Sequence, residues 1–362
     1  MAEETNHYGP TAAREHGRHA GSAALQPGRE ARPRSMTIDM HSHVMVPEAF
    51  ALTQPHVDLS LVPLAHFATD STKALNRKQD ADRRPNMLDM DVRLADMDAA
   101  GVDMQVIMPP PPQCTYTVPL EIGVQAARMV NAGIAAFAAR RPDRFTALGT
   151  VPMQDGHAAA AELERGMREH GLKGVQVLTS VNGLELSDPQ FAPFWAKAEE
   201  LGAVVLIHPN GFTEARRMTR FYFNNVIGNP LETTLALHYL IFDGVLERHP
   251  ALKLITVHGG GYLASYSGRI DHAWGARSDV RGSLPQPPTT YLKRVFFDTV
   301  VFTPHQLRNL VDVFGAGQIL MGTDYPYDMA ESDPVGHLAS AGLDEATYAA
   351  IAGGNARALF GV

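Results

Sequence analysis

The chain has 362 residues, 45% of them hydrophobic, and a formal net charge of -8. That charge, with no basic stripe interleaved with aromatic residues, argues against a nucleic-acid binder. Cys114 is the only cysteine, which leaves no disulfide framework and no thiolate zinc site. No apolar run reads as long enough to span a bilayer, and the composition fits a cytoplasmic protein built as one large α/β unit.

Residues 1–35 combine Gly, Ala, Arg, His, Pro and Glu with almost no large apolar side chains. Such a segment buries too little surface to offset its ordering entropy, so it reads as a disordered tail ahead of a domain over 36–362. Residues 37–40 (TIDM) predict a short buried strand, with His41-Ser42-His43 following at its C-terminal end. Alternate side chains of an extended segment point the same way, so His41 and His43 face one side together, as a divalent metal requires. An HxH on its own is a weak signal. Residues 47–87 carry Pro55, Pro63 and Pro85 around a polar middle and read as an irregular insertion that folds over the site as a lid. Residues 88–100 predict an amphipathic helix stopped by Gly101.

Short apolar runs then alternate with helical patterns. Strands are expected over 104–108, 146–151, 174–178, 204–208, 252–258, 295–299 and 319–323. Helices are expected over 120–139, 157–170, 189–201, 230–248, from after 258 to about 273, and over 304–314, with short helices to 360. Runs rich in Val, Ile and Leu without period-two alternation are what parallel strands covered on both faces look like. Eight such units predict a (β/α)₈ TIM-like barrel with an insertion after the first strand. No Gly-rich dinucleotide or phosphate loop follows that strand, which counts against an open doubly wound sheet.

In such a barrel the chemistry lies at the C-terminal ends of the strands. The first strand ends in His41 and His43, the fifth in His208, the sixth in His258 and the eighth in Asp324. Each alone has an ordinary explanation, a satisfied core histidine or a helix cap; their convergence on one mouth is a stronger signal. His238, His249, His272 and His305 lie on or beside helices and read as surface residues. A metal on His41, His43, His208 and Asp324 would keep a position open for water or substrate. Nitrogen and carboxylate ligands suit Zn²⁺ first, with Mn²⁺ or Fe²⁺ as alternatives. His258 stands close enough to act as general acid or base rather than as a ligand.

IDMHSH, HPNGF, VHGGG, SGRIDHAW and GTDYPY together resemble the amidohydrolase superfamily. Within it they resemble the aminocarboxymuconate-semialdehyde decarboxylase group of metal-dependent, non-oxidative decarboxylases, from about residue 38 to the C-terminus. The resemblance implies a small carboxylic acid substrate that loses carbon dioxide, and zinc on the four residues above. His258 would be the catalytic base or proton donor, and Asp324 a ligand and proton shuttle. It also implies a homodimer in which Arg269, in GRIDHAW, reaches the neighbouring subunit's substrate carboxylate. Phe221 and Tyr222, in RRMTRFYF, match aromatic positions lining that family's pocket, and Phe212, in HPNGF, is a further substrate-binding candidate. Its second substrate arginine falls on Arg84, with Arg83 almost as good, and its tryptophan after the HP step is Asn210 here. The rivals are a metal-dependent hydrolase of an amide, ester or lactone, a hydratase of a ring-cleavage product, and a metal-binding scaffold without turnover. The scaffold has no need for His258.

Overall fold

The computed structural model describes residues 36–362, so the tail expected over 1–35 lies outside the described residues. Eight parallel strands form the frame: β1 (Ile38–His43), β2 (Met104–Met108), β3 (Phe145–Ala147), β4 (Gly174–Leu178), β5 (Val204–His208), β6 (Lys253–Thr256), β7 (Phe296–Asp298) and β8 (Ile319–Leu320). β1 to β3 pair in chain order, and so do β4 to β8. Two bridges join these sheets, Gly149 with Val175 and Ser42 with Tyr325. Backbone bonds reinforce both seams: Gln176 N–H donates to Gly149 O at 2.8 Å, and Met40 N–H to Met321 O at 2.9 Å. The ladder thereby returns to its first strand, the closed eight-unit barrel expected from the alternation of apolar runs.

The strands are buried from end to end because two layers cover them. Ile38, Met40, Met104, Val106, Met108, Val204, Leu206, Ile255 and Leu320 share one inner cluster with Ala356 and Phe360 of the C-terminal helix, Asn355–Phe360. A second, larger cluster lies between the strands and the crossover helices. Several helices start and stop where their residues dictate. Asp89 caps Met90–Ala100 by accepting from Asp91 N–H at 2.8 Å, and that helix ends on Gly101 in the left-handed region.

Three expectations need correction, and one element was not expected. The insertion is mostly helical rather than irregular: Pro47–Thr53, Pro63–His66, Asp70–Asp82 and Arg84–Leu88 are all helices. Pro55, Pro63 and Pro85, read as marks of irregular chain, occupy first-turn positions, where a missing N–H costs nothing. Asp70–Asp82 is polar nearly all round and buries no residue, so it has no apolar stripe to recognise. The helix expected over 230–248 is two, Asn229–Phe242 and Val245–Arg248, divided at Gly244 with φ +75°. A two-stranded antiparallel hairpin, Ser180–Val181 with Leu184–Glu185, follows β4 unannounced. Finally, the helix Leu120–Ala139 is long and apolar enough to cross a membrane by length and composition. It packs as the β2–β3 crossover instead, burying Ala126, Ala127, Val130 and Ile134.

Candidate metal centre

The eighth strand stops early, and the chain beyond it turns toward the first. Asp324 N–H donates to His41 O at 2.8 Å, which hangs the Asp324 carboxylate beside the two β1 imidazoles. β1 is itself irregular: its register against β2 shifts between Asp39 and Ser42. Ile38 and Met40 belong to the inner cluster, yet beyond the shift His41 and His43 face the site. Simple alternation would have put these histidines opposite Met40, so the bulge is what turns them inward. Asp39 pins it, accepting from His41 N–H at 3.0 Å. The other oxygen of Asp39 takes Gln105 Nε2 at 3.0 Å and Thr323 Oγ1 at 2.7 Å. Arg93, fully buried, donates to Gln105 Oε1 at 2.9 Å and to the carbonyl of His43. The network therefore holds the backbone of both β1 ligands against that of Thr323 beside Asp324.

Candidate ligand atoms of His41, His43, His208 and Asp324 all lie within 4.8 Å of one another, and all four residues are buried. Their Nε2 atoms stand 3.4, 3.1 and 3.9 Å from Asp324 Oδ1 for His41, His43 and His208 respectively. Each Nδ1 faces an oxygen acceptor: His41 faces Asp298 Oδ2 at 2.8 Å, His43 faces Pro109 O at 3.0 Å and His208 faces Pro209 O at 2.7 Å. An oxygen acceptor fixes the proton on Nδ1, so three Nε2 lone pairs are left aimed at a carboxylate. The buried Nε2 atoms of His41 and His208 have no hydrogen-bond partner at all. Acceptors crowded together this way repel one another unless a cation joins them, so the donor set fits a divalent metal.

The ionisation states match that reading for His43 and His208, and His41 joins them as a ligand on losing its Nε2 proton. Burial pushes the His208 imidazole down to about 3 and lowers that of His43, so both are neutral ligands at neutral pH. Burial also works against a charge on His41, but Asp324 and Asp298 outweigh it and raise its pKa. For Asp324, burial works upward and is overcome, first by the charge on His41 and then by bonds from the surrounding imidazoles; its carboxyl ends well below the usual range.

His258 sits outside the ligand set. Its Nε2 lies 3.4 Å from Asp324 Oδ2, the carboxylate oxygen turned away from the other three histidines. It opens a turn through Gly259, Gly260 and Gly261 in which all four residues have positive φ. A Cβ on Gly261 would stand 2.1 Å from Pro230 O, so only glycine fits that step. Above the cluster lies a cavity of about 410 Å³ whose lining includes His208, His258, Asp324, Tyr222, Phe302 and Tyr327. Four of these, His258, Asp324, Tyr222 and Phe302, hold the left-handed backbone that non-glycine residues avoid. Strain of that kind, on the order of 1–3 kcal/mol each, collects at functional sites.

The residues expected to bind substrate are only partly brought together. Tyr222 lines the cavity, whereas Phe221 is 70% exposed and Phe212 lies outside the lining. Arg84 is exposed and off the cavity. Arg83 instead lays its guanidinium 4.8 Å from the centre of the Tyr327 ring, with Asp80 3.2 Å away. Arg269 is exposed on Leu263–Ala276 and is not part of its own chain's cavity. Sequence reasoning missed Asp298. It closes β7, orients His41 through Oδ2, and through Oδ1 accepts Gly259 N–H at 2.8 Å, so it supports both a ligand and the His258 turn. A carboxylate at the end of a barrel strand, in FFDTV, was the available signal.

The amidohydrolase family model matches residues 38–362. The chain belongs to the amidohydrolase family. Among its relatives is 2-amino-3-carboxymuconate-6-semialdehyde decarboxylase of Dictyostelium discoideum, 33% identical over 91% of this chain and 92% of that protein. The crystal structure of 5-carboxyvanillate decarboxylase from Sphingomonas paucimobilis superposes with a TM-score of 0.79 at 28% identity, covering 90% of this chain and 99% of the other. That of a dihydroxybenzoic acid decarboxylase from Polaromonas sp. JS666, with manganese and the inhibitor 2-nitroresorcinol bound, has a TM-score of 0.77 at 26% identity, covering 90% and 97%. This amidohydrolase thus carries its metal-ligand set at the barrel mouth, as its fold dictates.

Proposed function

We propose that this chain is a metal-dependent, non-oxidative decarboxylase that removes one carboxylate as carbon dioxide from an aromatic or muconate-semialdehyde-type acid. One observation carries the reading: three imidazole nitrogens and a carboxylate converge beneath the cavity, with His258 Nε2 3.4 Å from the carboxylate's other oxygen. The decarboxylase relatives on both the sequence and the structure side supply the reaction class. A divalent ion held by His41, His43, His208 and Asp324, read here as zinc with manganese or iron as alternatives, would supply positive charge that draws an acidic substrate and stabilises negative charge developing on it.

The chain's own residues supply the rest. Tyr222, Tyr327 and Phe302 give the cavity walls flat apolar faces for a conjugated ring. Arg83, over Tyr327, is better placed than Arg84 to meet a remaining carboxylate. The His258 and Asp324 pair holds a proton between Nε2 and Oδ2 and delivers it to the carbon that bears the leaving carboxylate. That carbon gains a C–H bond as its bond to the carboxylate breaks; the electron pair returns to the conjugated system and carbon dioxide departs. Water at the cavity mouth then returns the proton to the pair.

We also propose a homodimer in which Arg269 reaches the neighbouring site. Tyr266, 66% exposed on the same helix three residues before Arg269, leaves apolar surface that a second copy would cover. Light scattering on the purified chain should give twice the chain mass, and a monomer would refute the pairing.

Product mass spectrometry tests the reaction. Metal-loaded protein is incubated with aminocarboxymuconate semialdehyde, ortho-hydroxy and ortho-amino aromatic acids, and a set of lactones and amides. Loss of carbon dioxide from at least one acid is expected. Addition of water without that loss would move the assignment to a hydrolase or hydratase.

A further inference from the structure

We infer that the substrate pocket has a second chamber, which takes an uncharged hydrocarbon substituent of the acid; this rests on the decarboxylase reading above. A cavity of about 840 Å³, twice the size of the one over the metal ligands, lies between the helical insertion and the mouths of β2, β4 and β5. Pro112 and Asn210 line both. The partition beside them is thin: Pro63 faces the large chamber and Leu64 the small one. These two residues rest on Gly211, where a Cβ would stand 2.7 Å from Leu64 N. Asn224 Nδ2 donates to Pro63 O at 3.0 Å and anchors the partition to the floor.

The lining states what the chamber accepts. Phe50, Val57, Leu59, Leu61 and Val62 come from the insertion, and Tyr116 and Leu178 from the barrel. Leu59 and Leu61 are 63% and 54% exposed, apolar surface left facing the void. Among the described residues the lining holds one carboxylate and one guanidinium, Glu214 and Arg216, both exposed at the rim and facing each other at 3.4 Å. Among the described residues no buried charge waits for a second carboxylate or a phosphate, so the occupant is neutral and apolar with scope for a few hydrogen bonds to groups such as Thr117 and Asn182. A ring seated over the metal ligands, with an alkyl or aryl arm passing Asn210, fills both spaces.

Calorimetry on the metal-loaded full chain with phenol and 3-pentylphenol, products of unsubstituted and extended acids, reads this directly. The pentyl compound should bind at least fivefold tighter, and that advantage should fall below twofold in Thr117→Trp, which fills the far chamber. Leu61→Asp, on the exposed insertion, repeats the test with charge instead of bulk. An advantage under fivefold in the natural chain, or one that survives both variants, overturns the proposal. Parallel turnover of salicylate and 6-pentylsalicylate separates the two claims. Carbon dioxide loss without the pentyl advantage sinks the chamber alone; the advantage without any carbon dioxide loss sinks the decarboxylase reading alone.

Discussion

Asp324 does two jobs with two oxygens, one toward the metal ligands and one toward His258. Asp324→Asn should therefore lower both metal content and turnover, the latter by more than 100-fold; an undiminished rate would remove Asp324 from the mechanism. His258→Gln should separate the roles, keeping the metal by elemental analysis while losing activity. Asp298→Asn removes the carboxylate that holds the His41 tautomer and should weaken metal affinity about 10–100-fold, as losses behind a ligand generally do. Chelator competition measures it. The ligands were legible in sequence because four histidines and an aspartate end four predicted strands. Asp298 ends a fifth and passed unread for want of a motif around it. The choice between the neighbours Arg84 and Arg83 was not legible, because an exposed arginine and one laid over Tyr327 look alike without tertiary contacts.

Elements whose apolar faces are long and repeated came through intact: β2, β4, β5, Leu120–Ala139 and Pro304–Phe314 have the ends expected of them. Elements held by capping and polar contacts did not, which is why the insertion appeared irregular. Leu120–Ala139 shows how an element is fixed by one polar residue within an apolar face. Its buried Asn131 donates to Thr150 O at 3.0 Å and Glu162 Oε1 at 2.6 Å and accepts from Thr150 N–H at 2.8 Å, stitching the helix to the segment after β3 and to Gly156–His170. Asn131→Ala leaves those buried partners unmet and should cost about 3 kcal/mol, read as a lower urea midpoint at unchanged slope. A loss below half that would mean that water or neighbouring groups satisfy them.

Across the whole molecule, barrel closure brings β1, β5, β6 and the segment after β8 to one mouth, and the electrostatics there set how metal binding responds to pH. His43 and His208 are already neutral and Asp324 is ionised, so the proton with which a metal competes as pH falls is the one on His41. Affinity should fall about tenfold per unit as pH drops below the raised His41 pKa. A slope near three would show that the other histidines also carry protons. The sign reverses for the metal-free fold: charged His41 against Asp298 and Asp324 stabilises it fully below the ordinary value of 6.5 and fades as pH rises through the raised pKa. The central claim is a metal-dependent break between a carbon and its carboxylate at this mouth, and turnover of a carboxyl-labelled acid in D₂O tests it most directly. Labelled carbon dioxide should appear only with metal present, and the product should carry one deuterium at the vacated carbon. Label retained in a product that has gained water would contradict the account.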